Sequence, residues 1–303
     1  MIKGGNINIS FILILAMFAV STSPVAAEIL NQNGSDGIMS AFWRMSLACL
    51  ILCIFSSINR PGSFNSKKNL KMTIFSGFFL GLHFACFFIA LDLTKMANAT
   101  FLGTLTPIFT LILEIIILKR RFSNWVYIGL TFALVGALII FLGSPLDLKN
   151  NDMRGNLLAL ICSLILAISF IISERVRQSE NTVTYTRSLY GSAAITLLIL
   201  AVVLGRDIFP EDGQIFLFSG FIYLGLIPTI VGHNAFYYSL KYVKPTIVAT
   251  IPLAEPIIAS IIGYFLFPLF LMKSELFTDY WYYTIIGGSI SLLGIFLVIK
   301  NKK

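Results

Sequence analysis

Apolar residues gather along this chain in ten long blocks separated by short polar segments. The blocks lie at 8–27, 38–58, 71–92, 97–118, 124–143, 155–174, 185–204, 214–239, 246–268 and 281–299. Each approaches the ~20 residues that a helix needs to cross a hydrocarbon core. A helix that is apolar all round is buried in protein or in lipid. The pattern therefore predicts an all-α integral membrane protein with ten transmembrane helices. The long block 214–239 and the block 246–268, which holds Pro252 and Pro256, are expected to be tilted or kinked.

Composition agrees. Of 303 residues, 57% are hydrophobic and 12% charged, against about 25% charged in soluble domains. Ten spans use about 200 residues and leave about a hundred for loops and ends, so the count fits without a soluble domain. The net charge of +8 raises the question of a nucleic-acid partner. The basic residues sit in short loops between apolar blocks, so nucleic acid is not expected and the lipid bilayer is. The four cysteines, Cys49, Cys53, Cys86 and Cys162, all fall inside apolar blocks without nearby His or carboxylate partners. They read as small buried apolar residues, with no disulfide framework and no metal site.

The first block imitates a signal peptide: Lys3, an apolar run from Phe11 to Val20, and Val25-Ala26-Ala27 before Glu28. Cleavage there would leave nine spans and break the repeat described below, so residues 8–27 are expected to remain as a first helix.

Assigning loops alternately to two sides places sixteen basic residues on one side and five on the other, with only Arg44 inside a span. Lys119, Arg120, Arg121, Arg175, Arg177 and Lys244 belong to the rich side; Lys95, Lys149, Arg154, Arg206 and Lys273 make up the poor one. The positive-inside rule then puts both termini in the cytoplasm, in the inner membrane.

The chain also repeats itself. Residues 90–107 (ALDLTKMANATFLGTLTP) align without a gap on residues 239–256 (SLKYVKPTIVATIPLAEP), matching Lys95 to Lys244 and Pro107 to Pro256. After a nine-residue insertion, Gly129 and Gly136 meet Gly287 and Gly294, and upstream Arg44 in FWRMSL meets Arg187 in YTRSLY. Five spans separate the members of each pair, an odd number, so the copies are expected to run oppositely through the bilayer. The predicted units are 8–143 and 155–299, two inverted five-helix repeats. Such repeats place a substrate site near the midplane, at their interface.

Ionisable groups at membrane depth are functional candidates by default. Glu255, flanked by Pro252 and Pro256, lies ~10 residues into its span, near the bilayer centre at 1.5 Å per residue. It could bind a cationic group, carry a proton, or lock two helices together; the residues do not separate these. His83 in GLHFACFF and His233 in VGHNAFYY, beside Asn234, stand twelve and eleven residues before Lys95 and Lys244. Each alone reads as a packing residue, while their paired placement points to a shared cavity and to proton coupling. Arg44 could hold a substrate carboxylate but is expected to snorkel to the outer interface. Glu114 is expected to pair locally with the basic residues 119–121. Thr106, Tyr237, Thr104, Asn98 and Tyr238 are weaker candidates to line a path. Trp43, Trp125 and Trp281 lie at span ends and read as interfacial anchors.

No nucleotide-binding loop, metal-ligand cluster or nucleophile–base constellation occurs, so no cofactor and no enzymatic chemistry are expected.

At these residues the chain resembles the drug/metabolite transporter superfamily, specifically the EamA-domain proteins. The resemblance rests on FWRMSLA, on SGFFLGLHFACFFIALDLTKMANATFLGTLTPIF, and on LGLIPTIVGHNAFYYSLKYVKPTIVATIPLAEPIIASIIG, and it extends over about residues 8 to 299. It implies a ten-helix fold with a central cavity and export or exchange of metabolites. Two departures stand out. Members of the family commonly end the fourth helix with a Glu-Arg pair, where this chain has Lys119-Arg120-Arg121. The corresponding Glu after the ninth helix is replaced within FPLFLMKSEL.

The expected activity is alternating-access transport of a small organic solute, either amino-acid-like or nucleoside- or cofactor-like. The aromatics Phe84, Phe87, Phe88, Phe236, Tyr237 and Tyr238 favour the second class. Protons or a counter-substrate would drive it. The rival from another class is a membrane enzyme or sensor without transport.

Overall fold

The computed structural model describes residues 8–94, 96–142, 153–211, 215–266 and 281–301. Among the described residues ten helical spans are long and apolar enough to cross a membrane. They are α1 (Ile9–Gln32), α2 (Gly37–Asn59), α3 (Lys67–Leu93), α4 (Asn98–Ile116), α5 (Asn124–Leu142), α6 (Met153–Arg177), α7 (Thr182–Leu204), α8 (Phe216–Ser239), α9 (Pro245–Gly263) and α10 (Tyr282–Lys300). Each expected block holds one of them. Lys95, Lys149 and Lys273, used in the charge count, lie outside the described residues.

Local chemistry sets the ends. Asp36 caps α2, its carboxylate accepting from the amides of Ile38 at 2.6 Å and Met39 at 3.4 Å. Ser66 accepts from Asn69 N at 3.1 Å to open α3, and Asn181 from Val183 N at 2.9 Å to open α7. Gly205 closes α7 in the left-handed conformation, φ 63°.

Four spans are broken in mid-course, as prolines dictate, the first being α1, whose helix stops at Ser21 and restarts at Ser23-Pro24. The helix of α4 stops after Gly103 and restarts at Thr106-Pro107. In α8, residues Gly225–His233 widen into π-helical turns around Pro228. In α9, Ile251–Ala254 tighten into a 3₁₀ turn containing Pro252 before the α-helix resumes at Glu255-Pro256.

The two halves of the chain interlock. Extensive contacts join α5 to α10, α3 to α6 and α7, α2 to α7, and α1 to the widened turns of α8. In every one of these pairs, one helix comes from each half. The α5–α10 crossing is antiparallel and made by glycine: a Cβ on Gly129 would stand 2.7 Å from the carbonyl oxygen of Gly294, and one on Gly136 would collide with that of Gly287. Small residues let backbones approach this closely, which is how helices associate in lipid. Between α3, α6 and α7, Ser76 lies 2.9 Å from Ser169 and 3.0 Å from Ser173, and the Tyr185 hydroxyl donates to Ser173 at 2.6 Å.

Leu13, Met45, Leu80, Phe170, Tyr185 and Leu253 are buried between helices, whereas Phe11, Ile58, Ile116, Val202 and Phe296 are more than half exposed. A bundle with apolar groups on both inside and outside is made for lipid. The cysteines divide accordingly, which corrects their reading as uniformly buried: Cys162 is buried, Cys49 and Cys86 are partly so, and Cys53 faces outward. Trp125 is exposed at its span end, as an anchor would be. Trp43 instead turns into the bundle end, where its indole donates to Ile208 O at 2.6 Å and its ring packs edge-on to Phe218. The side chain of Trp281 lies outside the described residues.

Candidate functional site

Within the bundle, three of the predicted residues meet around one phenyl ring, and a fourth lies near. Phe84 of α3 stands 5.1 Å from the His83 ring, 6.0 Å from the His233 ring of α8, and 5.0 Å beneath the Arg44 guanidinium of α2. Glu255 of α9, the fourth, interacts electrostatically with Arg44 from beyond ion-pair distance.

Arg44 is the centre of the group, and it does not snorkel. It is buried, donating from Nε to Thr229 Oγ1 at 2.7 Å and from Nη1 to Ser23 Oγ at 2.9 Å. Its α2 register points inward, and polar partners on α8 and α1 repay part of its desolvation. The π-helical turns supply one partner: Thr229 follows Pro228 and donates its own hydroxyl to Leu224 O at 2.8 Å, leaving its oxygen free to accept from Arg44. Nη2 of Arg44 is left without a hydrogen-bond partner.

The same deficit runs down α8. His233 Nδ1, Asn234 Oδ1, the Tyr237 hydroxyl and Ser239 Oγ are all buried atoms without a hydrogen bond. Tyr237 has Ser169 of α6 beside it, too loosely placed for a well-formed hydrogen bond. Buried polar groups are ordinarily satisfied, so five such atoms, four of them on one helix, call for an explanation. Glu255 likewise makes no hydrogen bond or ion pair among the described residues. His83, His233, Asn234 and Glu255 all keep partial exposure at mid-span.

His83 differs from His233 in being held: its Nδ1 lies 3.1 Å from the Cys162 carbonyl oxygen on α6 and 3.2 Å from the Cys162 sulfur. Thr106 and Phe87 are not brought into this group by any contact. Thr106 opens the second half of α4, its hydroxyl 3.5 Å from Gly103 O, and Phe87 packs edge-on to Phe88. Two partners of Arg44 escaped the sequence reading. Thr229 was signalled only by the proline before it, and Ser23 lies in the small-residue stretch that imitates a cleavage site.

A second polar group closes one end of the bundle. Glu114 pairs with Arg120 at 2.7 Å, as expected, but is fully buried and also accepts from the amide and hydroxyl of Thr246 at 2.8 and 2.6 Å. Arg120 further pairs with Glu174 of α6 at 2.8 Å. At the opposite end Arg206 bridges Asp36 and Asp92, each at 2.8 Å. These last carboxylates hold the Arg206 guanidinium above its usual range.

The model of the EamA-like transporter family matches residues 7–142 and, a second time, residues 153–300. An uncharacterized transporter of Synechocystis is 32% identical over 71% of this chain and 61% of its own length. One of Archaeoglobus fulgidus is 26% identical over 95% of each chain. A solved crystal structure covers 96% of each chain with a TM-score of 0.74 at 14% identity, a likeness of fold alone.

Proposed function

This chain belongs to the EamA-like transporter family, and on that premise we propose that it is a secondary transporter carrying a small zwitterionic, amino-acid-like solute by alternating access. The observation that carries this reading is the Nη2 of Arg44, buried without a hydrogen bond, near a Glu255 whose side chain makes no hydrogen bond or ion pair among the described residues and which interacts with Arg44 electrostatically. A cation and a carboxylate that interact without pairing complement a solute bearing a carboxylate at one end and an ammonium at the other. Charge-assisted hydrogen bonds to both would satisfy groups that the protein leaves bare. His233, Asn234 and Tyr237 then offer the solute its remaining polar contacts, and Phe84 an apolar wall. When the solute is absent, Glu255 needs a proton or another cation as its partner, which gives proton coupling or exchange a physical basis.

Alternating access is supported by the repeat. The aligned pairs Gly129–Gly287 and Gly136–Gly294 touch in exchanged order, Gly129 with Gly294 and Gly136 with Gly287. Two copies related by a two-fold axis in the membrane plane make contacts of this kind. The two successive matches of one family model fit the units 8–143 and 155–299. The asymmetry of basic residues supports the inner membrane, with both termini in the cytoplasm.

Purified protein in liposomes tests the reading. Saturable uptake or counterflow of a zwitterionic solute, lost on removing the Arg44 charge, is the expected result. Chemical turnover of solutes that never cross the bilayer would make the protein a membrane enzyme. Movement of nucleosides but not of zwitterions would replace the substrate class.

A further inference from the structure

The position at which the family commonly carries an acid carries a base here, and the acid sits one and a half turns earlier, at Glu114. Its surroundings show what this rearrangement does. Lys119 turns the chain at φ 51°, in the left-handed region, and Arg120 N reaches back to Glu114 O at 3.0 Å. The Arg120 side chain thereby folds under the end of α4. One Glu114 oxygen takes Arg120, and the other takes both donors of Thr246 in the first turn of α9. Arg120 in turn holds both oxygens of Glu174, at 2.8 and 2.9 Å, near the end of α6. Beside them Lys244 donates to Arg121 O at 2.8 Å and lies 4.4 Å over the Phe122 ring. The first half of the chain is thus tied to two helices of the second, to α9 through Glu114 and to α6 through Arg120.

We propose that Glu114, Arg120, Glu174 and Thr246 form a latch that holds shut the transport path where α4, α6 and α9 converge, the end that the basic residues assign to the cytoplasm. The inference rests on the transport reading above. Opening toward this end requires α9 to withdraw its first turn from Glu114, which then needs water in its place. The Arg206 bridge at the other end ties α2 and α3 to the loop after α7, but its side chains are 42%, 23% and 53% exposed, against 0% for Glu114. Exposed pairs contribute little, and a buried hydrogen-bonded carboxylate is costly to strip of partners. The resting molecule therefore favours closure at the Glu114 end.

Labelling of two reporter cysteines tests this without measuring transport. Thr250→Cys lies one turn beyond the latch and Met39→Cys at the opposite end, both buried, each in a chain with Cys49, Cys53, Cys86 and Cys162 replaced by alanine. Glu114→Gln keeps an acceptor for Thr246 but loses the Arg120 pair. It should raise maleimide labelling at position 250 about tenfold, the effect of losing one charge-assisted hydrogen bond, and leave labelling at position 39 equal or slower. Arg120→Gln, which spares the Glu114–Thr246 bonds, should act in the same direction. It stands in should Glu114→Gln fail to fold, and Glu174→Gln stands in for both. Equal rises at both reporters would mean general loosening, and no rise at position 250 would mean a purely structural cluster; either result overturns the latch. A shift in labelling with no flux of any solute in liposomes would instead count against the transport reading alone.

Discussion

Thr106 and Glu255 each open the second half of a broken helix, one residue before a proline. They are also equivalent in the repeat, since the alignment that joins Pro107 to Pro256 places them together. One break thus exposes a hydroxyl and the other a carboxylate, at matching depth in the two halves. Near-symmetric framing thus carries unlike chemistry in the two halves, and the carboxyl on α9 interacts electrostatically with the guanidinium of Arg44 on α2.

Glu255→Gln removes the charge while keeping volume and hydrogen bonding. Coupled flux should be lost, with expression and thermal stability nearly unchanged, because the Glu255 side chain forms no hydrogen bond or ion pair among the described residues. Flux assays in liposomes, run beside a melting curve, check both halves of the statement. Normal transport by the variant would make the carboxylate dispensable.

Arg44→Lys keeps the positive charge but loses the planar fork that reaches Thr229, Ser23 and the open Nη2 position together. Solute binding should weaken by about 2 kcal/mol, the range for a hydrogen bond to a charged group. Titration of ligand-induced thermal shifts would show it, and unchanged binding would remove Arg44 from the site.

Residues 8–27 should persist in the mature protein. Leu13, Ala16 and Val20 are buried in the core, and Ser23 is one of the two side chains that hydrogen-bond Arg44 among the described residues. Cleavage before Glu28 would strip that partner from a buried charge. Intact-mass measurement of purified protein decides the point, and a mature start at Glu28 would refute the expectation.

Gly136→Val should destabilise the bundle by about 1–3 kcal/mol, the cost of forcing carbons into a filled space. Its Cβ would fall on the Gly287 carbonyl and on Ser291 of α10, backbone that has no rotamer to yield. Denaturation in detergent should show the loss, whereas Val135→Ala or Leu138→Ala, at exposed positions on the same helix, should be nearly silent.

Arg44 shows where reading the sequence stopped. Its depth in a span was visible, but the choice between snorkelling and burial depended on Ser23 and Thr229, which stand 21 and 185 residues away. Glu114 repeats the lesson: its local partner Arg120 was legible six residues on, while Thr246, 132 residues on, was not. Cys53 was misplaced for a related reason, because a helix apolar on every side carries no mark of which side meets lipid.

What the sequence by itself determined is the architecture. Ten spans follow from apolar length against bilayer thickness, the family from motifs along the chain, and the expected kinks from the length of block 214–239 and from Pro252 and Pro256 in block 246–268. What only the tertiary structure decided is which polar atoms find partners. Hydrogen bonds are short and directional, so they depend on how helices distant in sequence are rotated against one another. That rotation left Arg44 Nη2, His233 Nδ1 and Asn234 Oδ1 bare in the middle of the bundle and wrapped Glu114 at its end.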